Sequence, residues 1–367
     1  MTGAAAARES LHLVVVARLD DPKLASKLQP LRALAEVAAI DLVRRTPLPM
    51  EGVRSHCPPG WLRSVPLLCE LWRIVTLLVL CVRLPRERTF LIAFFLVPHA
   101  FYIELGRRLL GLRTIPVTLS QMDVDLALRR PRVLALLRAA HRVGVRGAQS
   151  ARRLVEAGLP ASRVFAPPNV FDPAPYQPAL GRPEDLDVVF VGGLEPVKRL
   201  DILLDALAQV REQRPRLRAA IVGGGGQAVL LARRAARLGL GESVVFTGPQ
   251  SPAEVAGWLR RARLFVMTSE VEGLPMAMIE ALSCGVPVVI RDVGDVTTVA
   301  RHDDNAWIVS ALSPAAFAEA ILALLEDEPR RLRLAAGARR TRERFATEYS
   351  LAAATAAWRA ALVGEPH

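Results

Sequence analysis

Two carboxylates eight positions apart, Glu272 and Glu280, flank the turn Gly273-Leu274-Pro275 in the stretch from Thr268 to Val289. An apolar run precedes them, Pro275 suits the first turn of a helix, and Gly285 is a natural C-terminal stop, so the pattern predicts strand, loop, and a helix over 275–284. Such a helix turns its N-terminus toward the cleft beyond the strand end. Its free backbone N–H groups and dipole favour an anion such as a diphosphate. Glu280, about five residues and so ~7 Å further along, then reaches an adjoining ribose, while Glu272 on the loop faces a sugar. Taken singly, Glu272 also reads as an exposed loop residue and Glu280 as an ordinary helix glutamate; the Gly-Leu-Pro turn between them and the Gly285-Val286-Pro287-Val288 segment after them give the pair its meaning.

Val191-Gly192-Gly193-Leu194-Glu195-Pro196-Val197-Lys198-Arg199 makes a second candidate between a strand and a helix. Its glycines allow close backbone approach, and Lys198 and Arg199 have the charge to neutralise phosphates. A glycine turn with solvated basic residues is the plainer alternative. Gly223-Gly224-Gly225-Gly226-Gln227-Ala228 loosely fits a dinucleotide fingerprint after a strand. The acidic ribose ligand that should follow about 20 residues on has only Glu242 near its place, in a loop, which disfavours a nicotinamide or flavin enzyme.

Elements that position these residues follow from hydrophobic periodicity. Leu11–Ala17, Phe90–Val97 and Ile115–Leu119 read as strands, and segments around Leu24–Leu34, Phe101–Leu110 and Val133–Ala140 as helices. This alternation predicts an α/β protein with parallel sheets covered on both faces. A proline-dense stretch places a linker at 173–185, after an N-terminal domain over 1–172. A second α/β domain over 186–345 takes strands at 188–191, 218–222, 244–246, 264–267 and 288–290, with helices at 200–211, 228–238, 252–261 and 314–325. The end, 329–362, reads as helical. At 367 residues two domains are expected, with a cleft between them as the default site.

The net charge of +12 is nearly all arginine. Arg129, Arg130, Arg132, Arg138, Arg142, Arg146, Arg152 and Arg153 lie in a segment without acids and fit either one anion-binding surface or plain solvated helix faces. Cys57, Cys69, Cys81 and Cys284 match no zinc or redox spacing, and the chain opens without the pattern of a cleavable signal peptide, so a cytoplasmic protein with reduced thiols is expected. Uncharged runs at 74–82 and 90–103 fall short of the ~20 residues that cross a bilayer. Trp61, Trp72, Phe90, Phe94, Phe95, Phe101 and Tyr102 sit in a basic region, 51–115, a composition suited to peripheral contact with an anionic membrane surface or, for the 90–95 strand, to a core. No nucleic-acid-binding module is recognisable, and nucleic acid is not an expected partner.

With these residues assembled, the chain resembles the retaining glycosyltransferases of family 4, also called group 1. The resemblance rests on Glu272 and Glu280 with Gly285-Val286-Pro287-Val288, the stretch ending at Lys198, Ile221-Val222-Gly223-Gly224-Gly225 and Val244-Val245-Phe246-Thr247-Gly248; Pro168-Asn169-Val170-Phe171-Asp172 and Ile115-Pro116-Val117-Thr118 with Asp123 carry it more weakly in the first half. It implies a GT-B fold, two Rossmann-like domains facing a cleft, with a final helix over 346–367 crossing back. By the same resemblance Glu280 binds ribose hydroxyls, Glu272 donor-sugar hydroxyls, and Lys198 the diphosphate. Backbone N–H groups of Leu274 and Met276 assist; Gly192, Gly193, Gly223, Gly248, Gly273 and Pro275 are expected to complete the donor site, with Arg199 joining Lys198 on the diphosphate in place of the Arg usual where Gly193 stands. The implied activity is retaining transfer from a nucleoside diphosphate sugar to a saccharide or lipid-linked acceptor in cell-envelope glycan or glycolipid synthesis, with no cofactor and no metal.

Departures from the family pattern are specific. Gly193 stands where the family usually has Arg, Val170 where it has Gly, and Ser120-Gln121-Met122-Asp123 where many members place a His ahead of an Asp. Asp123 and His99 are the remaining catalytic candidates, although His99 also reads as a packed loop residue. A catalytically silent GT-B protein that binds a nucleotide-sugar or a partner transferase is the alternative these departures raise.

Overall fold

The computed structural model describes residues 10–118, 121–178 and 185–364. Contacts divide the chain into a first unit, up to Val170 together with the segment from Tyr349 on, and a second, Phe171–Glu348. In the first unit the order along the chain is β1 (Leu11–Val16), α1 (Asp21–Arg32), β2 (Val37–Val43), β3 (Val53–His56), α2 (Pro66–Arg83), β4 (Thr89–Phe94), α3 (His99–Leu110), β5 (Arg113–Val117), α4 (Gln121–Arg129), α5 (Pro131–Ala139), β6 (Val143–Gly144), α6 (Gly147–Glu156) and β7 (Val164–Phe165). All strands are parallel, in the order β3-β2-β1-β4-β5-β6-β7.

Central strands read as unbroken apolar runs because both faces of the sheet are covered. Along β1, Leu13 and Val15 join one core with Leu24, Leu28, Phe94 and Ile115. Val14 and Val16 point the other way, into a core with Leu77, Cys81, Leu91 and Ile103. Asp20 caps α1 by accepting from the Lys23 backbone N–H, and Pro66 and Pro131 start α2 and α5 at positions where no N–H is missed.

The second unit contains β8 (Leu186–Val191), α7 (Leu200–Gln213), β9 (Ala219–Val222), α8 (Ala228–Arg237), β10 (Val244–Gly248), α9 (Pro252–Arg261), β11 (Ala262–Met267), α10 (Met276–Ser283), β12 (Val288–Arg291), β13 (Ala306–Val309), α11 (Pro314–Glu326) and α12 (Glu328–Glu348). Its parallel order is β10-β9-β8-β11-β12-β13. After β8 the chain moves outward to β9 and β10, then returns past β8 to lay down β11, so the topological switch lies between β8 and β11. The last helix, α13 (Leu351–Val363), belongs to the first unit, where Trp358 packs edge-on against Phe94 and Phe165.

Several expectations need correction. The helical end is two helices, because Ser350 accepts from the Ala353 N–H and so caps a new start. The stretch 171–178 is fastened to the second unit and is no free linker: the Arg260 guanidinium donates to the Pro175 carbonyl at 3.0 Å, and Phe171 stacks on Tyr176. Positions 179–184 of that linker, and Leu119 and Ser120, lie outside the described residues. The strand expected to reach Val97 ends at Phe94, and α3 starts at His99. Periodicity did not reveal β2, β3, α2, α4, α6 or β13. Of the eight arginines of 129–153, three are engaged within the first unit: Arg153 pairs with Asp125, Arg138 donates to the Ala157 carbonyl, and buried Arg142 donates to the carbonyls of Ser162 and Gly364.

Candidate active site

In a doubly wound sheet, ligands bind beyond the carboxyl ends of the strands at the switch point. In the second unit those ends are the loops after β8 and β11, and they carry both strongest sequence candidates. Lys198 closes a short 3-10 turn, Pro196–Lys198, ahead of α7. Glu272 lies on the loop between β11 and α10. The Lys198 ammonium donates to Glu272 Oε1 at 2.5 Å, with the two side chains 21 % and 10 % exposed. Backbone contacts fix the same two loops to each other: Glu270 N–H donates to the Val197 carbonyl at 2.9 Å, and the buried Thr268 hydroxyl faces the carbonyls of Lys198 and Arg199.

The Glu272 loop is also fixed from its other side. Asp295 N–H donates to the Gly273 carbonyl at 2.9 Å. A Cβ at Gly294, which has φ +62°, would lie 2.4 Å from the Gly273 carbonyl oxygen and 2.5 Å from that of Glu272, so only glycine permits this approach. On the β8 side a Cβ at Gly223 would lie 1.9 Å from the Gly192 carbonyl oxygen. Gly223 N–H donates to the Gly248 carbonyl at 3.0 Å, which gathers the ends of β8, β9 and β10. Gly193 differs: a Cβ there would meet nothing closer than 3.7 Å.

Helix α10 begins at Met276, with Pro275 as its N-cap and no side chain capping it. Its first N–H groups, beside the Gly273-Leu274 turn, therefore present partial positive charge. Glu280 stands on the second turn and keeps only slight access to solvent. Burial pushes its carboxyl up to about 7, partly opposed by a hydrogen bond from the Tyr176 hydroxyl, whose own pKa is raised by burial and by the nearby carboxylate. Tyr176 was not legible as a site residue, being 104 positions away from its partner with no motif of its own.

Arg199 has a left-handed backbone, φ +48°, and its guanidinium is already engaged, with Asp201 at 3.0 Å and Glu270 at 3.5 Å. It is thus tied to two carboxylates, Asp201 and Glu270, before it could serve a phosphate. His99 and Asp123 belong to the first unit, Asp123 in the first turn of α4. The expectation of a catalytic His99 needs correction. It is 1 % exposed, its Nδ1 faces the Phe94 carbonyl at 3.1 Å, and its Nε2 faces Arg73 at 3.3 Å. Burial, then the charge of Arg73, push its pKa down to about 4, so it is a neutral packing residue.

Residues 176–341, within the second unit, match the family model described as Glycosyl transferases group 1. The D-inositol 3-phosphate glycosyltransferase of Thermobispora bispora is 36 % identical over 190 residues, 48 % of this chain and 44 % of that protein. The enzyme of the same name from Jonesia denitrificans is 36 % identical over 180 residues, 47 % of this chain and 42 % of that protein. The chain thus spans less than half the length of these curated relatives. Among solved structures, Anabaena Alr3699/HepE in complex with UDP superposes with TM-score 0.73 at 17 % identity, covering 97 % of this chain and all of that one. Sucrose-phosphate synthase from Thermosynechococcus elongatus superposes with TM-score 0.75 at 19 % identity, over 94 % and 96 %. At such identity the likeness establishes the fold: two Rossmann-like α/β units of the GT-B kind.

Proposed function

We propose that the protein transfers a glycosyl group from a nucleoside diphosphate sugar to a saccharide or lipid-linked acceptor with retention of anomeric configuration, in the synthesis of a cell-envelope glycan or glycolipid on the cytoplasmic side. The observation that carries this reading is the Lys198–Glu272 pair at the switch point, beside an uncapped helix N-terminus and the largely enclosed Glu280. The match of residues 176–341 to the group 1 family model and the names of the relatives support it.

In this account the Glu280 carboxylate accepts from the ribose hydroxyls. The diphosphate lies against Lys198 and the N–H groups at Leu274 and Met276, with Gly192, Gly193, Gly223 and Gly248 giving its oxygens close access to backbone. Glu272 accepts from donor-sugar hydroxyls while holding the Lys198 ammonium in place. As the bond from the anomeric carbon to the β-phosphate oxygen breaks, charge grows on the diphosphate, where Lys198 and the helix end lower its energy. The acceptor hydroxyl attacks the same face of the oxocarbenium-like carbon and passes its proton to the departing oxygen. The positive charge comes from the protein, so no metal and no cofactor enter the scheme. Asp123, on the first unit, is assigned to the acceptor side.

Gly193, which leaves the phosphate loop one cation short of the family pattern, favours a second reading: a silent GT-B protein that binds a nucleotide-sugar or a partner transferase. Incubation with radiolabelled UDP-, GDP-, ADP- and TDP-sugars separates the two. Release of nucleoside diphosphate, lost in Lys198→Ala, supports transfer; tight binding without release supports the silent reading.

A further inference from the structure

We propose that the first unit docks on an anionic lipid bilayer through the outer face of helix α2. The proposal does not depend on the reading of the second unit. Helix α2 buries one narrow stripe, Cys69, Arg73, Leu77 and Cys81, at intervals of four residues. Its opposite face is apolar as well: Leu67 is 79 % exposed, Leu71 56 %, Val75 51 % and Val82 67 %, with Leu68 and Val79 also exposed. A helix on a protein surface ordinarily turns charged residues to water. Here only Glu70, Arg73 and Arg83 are charged; the first two bind each other at 2.9 Å, and Arg83 is the last residue. Trp61, on the turn just before the helix, is 72 % exposed. An apolar surface of this length, about 27 Å for 18 residues at the usual rise, marks an interaction site.

Charge decides what covers it. At the C-terminal end of α2 and just past it, Arg83 and Arg86 are exposed and make no ion pair among the described residues, with a single exposed acid, Glu87, beside them. The arginine-lined cavity at the N-terminal end lies on the side of buried Cys69 and Arg73, away from the apolar face, and its Arg44 and Arg73 are buried and paired with Asp21 and Glu70. A second copy of this face laid parallel would set Arg83 and Arg86 against their own counterparts. A bilayer offers hydrocarbon to the Leu and Val stripe and phosphates to the arginines at its C-terminal end, which is how an in-plane helix binds anionic lipid. No helix among the described residues is long and apolar enough to cross a membrane, so α2 lies on the surface. Of the aromatics the sequence offered for this contact, Phe90 and Phe94 are excluded, being buried in the sheet; Trp61 and Phe101 are exposed.

The test is sedimentation of the full chain with vesicles of phosphatidylcholine alone and of phosphatidylcholine mixed with phosphatidylglycerol, at low and high salt. The expected result is binding to the mixed vesicles that weakens with salt. Leu71→Asp with Val75→Asp removes it. Arg83→Ser and Arg86→Ser each weaken it about fivefold. Both pairs of positions are exposed, and an unchanged thermal transition verifies folding. Failure of the unaltered chain to bind mixed vesicles overturns the proposal whatever the variants do. Equal binding to both vesicle types, or self-association in solution that Leu71→Asp with Val75→Asp abolishes, overturns it too.

Discussion

The ammonium of Lys198 and the carboxylate of Glu272 meet at 2.5 Å across 74 residues of chain, at the point where the sheet of the second unit reverses its strand order. One loop leaves β8 and the other leaves β11, and neither charge is fully exposed. The pair therefore presets a cation and an acceptor of hydroxyl hydrogen bonds side by side before any ligand arrives.

Replacing Lys198 by Ala removes that cation and leaves Glu272 without its partner. Turnover of the nucleotide-sugar is expected to fall about 10²–10³-fold, the usual cost of losing one stabiliser of developing charge. Arg199→Ala is expected to cost less than tenfold, because Asp201 and Glu270 already occupy the guanidinium. Steady-state rates of the two variants decide; equal losses, or none, contradict the assignment of Lys198 to the diphosphate.

The Glu280 carboxyl sits at about 7, raised from the ordinary glutamate value by burial. A ribose hydroxyl donates to the ionised form, so nucleoside diphosphate affinity is expected to rise as pH increases through about 7. Tyr176→Phe removes a hydrogen bond that lowers this pKa, and the midpoint should move to higher pH. Calorimetric titrations between pH 5.5 and 8.5, a range of about three units around the midpoint, give the answer; a flat profile is inconsistent with Glu280 as the ribose ligand.

Glycines at the site differ in what they tolerate. Gly294→Ala would drive a methyl into the carbonyls of Gly273 and Glu272, and Gly223→Ala into that of Gly192. Each is expected to destabilise the second unit by about 2–3 kcal/mol, and Gly294→Ala also to weaken donor binding by moving Glu272. Gly226→Ala, with nothing within 4 Å, is the neutral control. Gly193→Arg fits by the same measure and places a guanidinium where the family carries one; nucleoside diphosphate affinity should rise about tenfold. Denaturation midpoints and binding constants test the set, and a neutral Gly294→Ala removes the claim that Gly294 positions the Glu272 loop.

His99 makes a separate pH prediction for the first unit. Its folded pKa is depressed to about 4, so between the unfolded value near 6.5 and about 4 the unfolded chain binds the extra proton. Stability of the first unit is therefore expected to fall as pH is lowered through that window. Half-buried His141, also pushed down to about 4, first by desolvation and then by the neighbouring arginines, acts in the same direction. Glu280 acts oppositely: its raised pKa makes the second unit gain stability as pH falls from about 7 toward 4.5. Urea titrations resolved for the two units at pH 7 and pH 5 check the signs.

Much of the second unit was legible in the sequence because its strands are unbroken apolar runs and its loops carry glycine, proline and charge in fixed order. The first unit was less so. Helix α2 was missed because its buried and exposed faces are both apolar, which erases the 3.6-residue period. Strand β2, VAAIDLV, places the buried Asp41 where a core strand should be apolar; its partners Arg54 and His56 lie on β3, which the chain alone does not announce. In the candidate site, motifs single out Lys198, Glu272 and Glu280, whereas Tyr176, Glu270 and Gly294 enter only through contacts that folding creates.

The most direct test of the donor site is calorimetric titration of the unaltered chain and of Glu280→Ala with UDP, GDP, ADP and TDP, and with NAD as control. The account predicts binding of one nucleoside diphosphate, weakened tenfold or more by Glu280→Ala, a loss of about 1.5–3 kcal/mol for hydrogen bonds to a charged group. Binding that Glu280→Ala leaves intact, or binding of NAD alone, contradicts it.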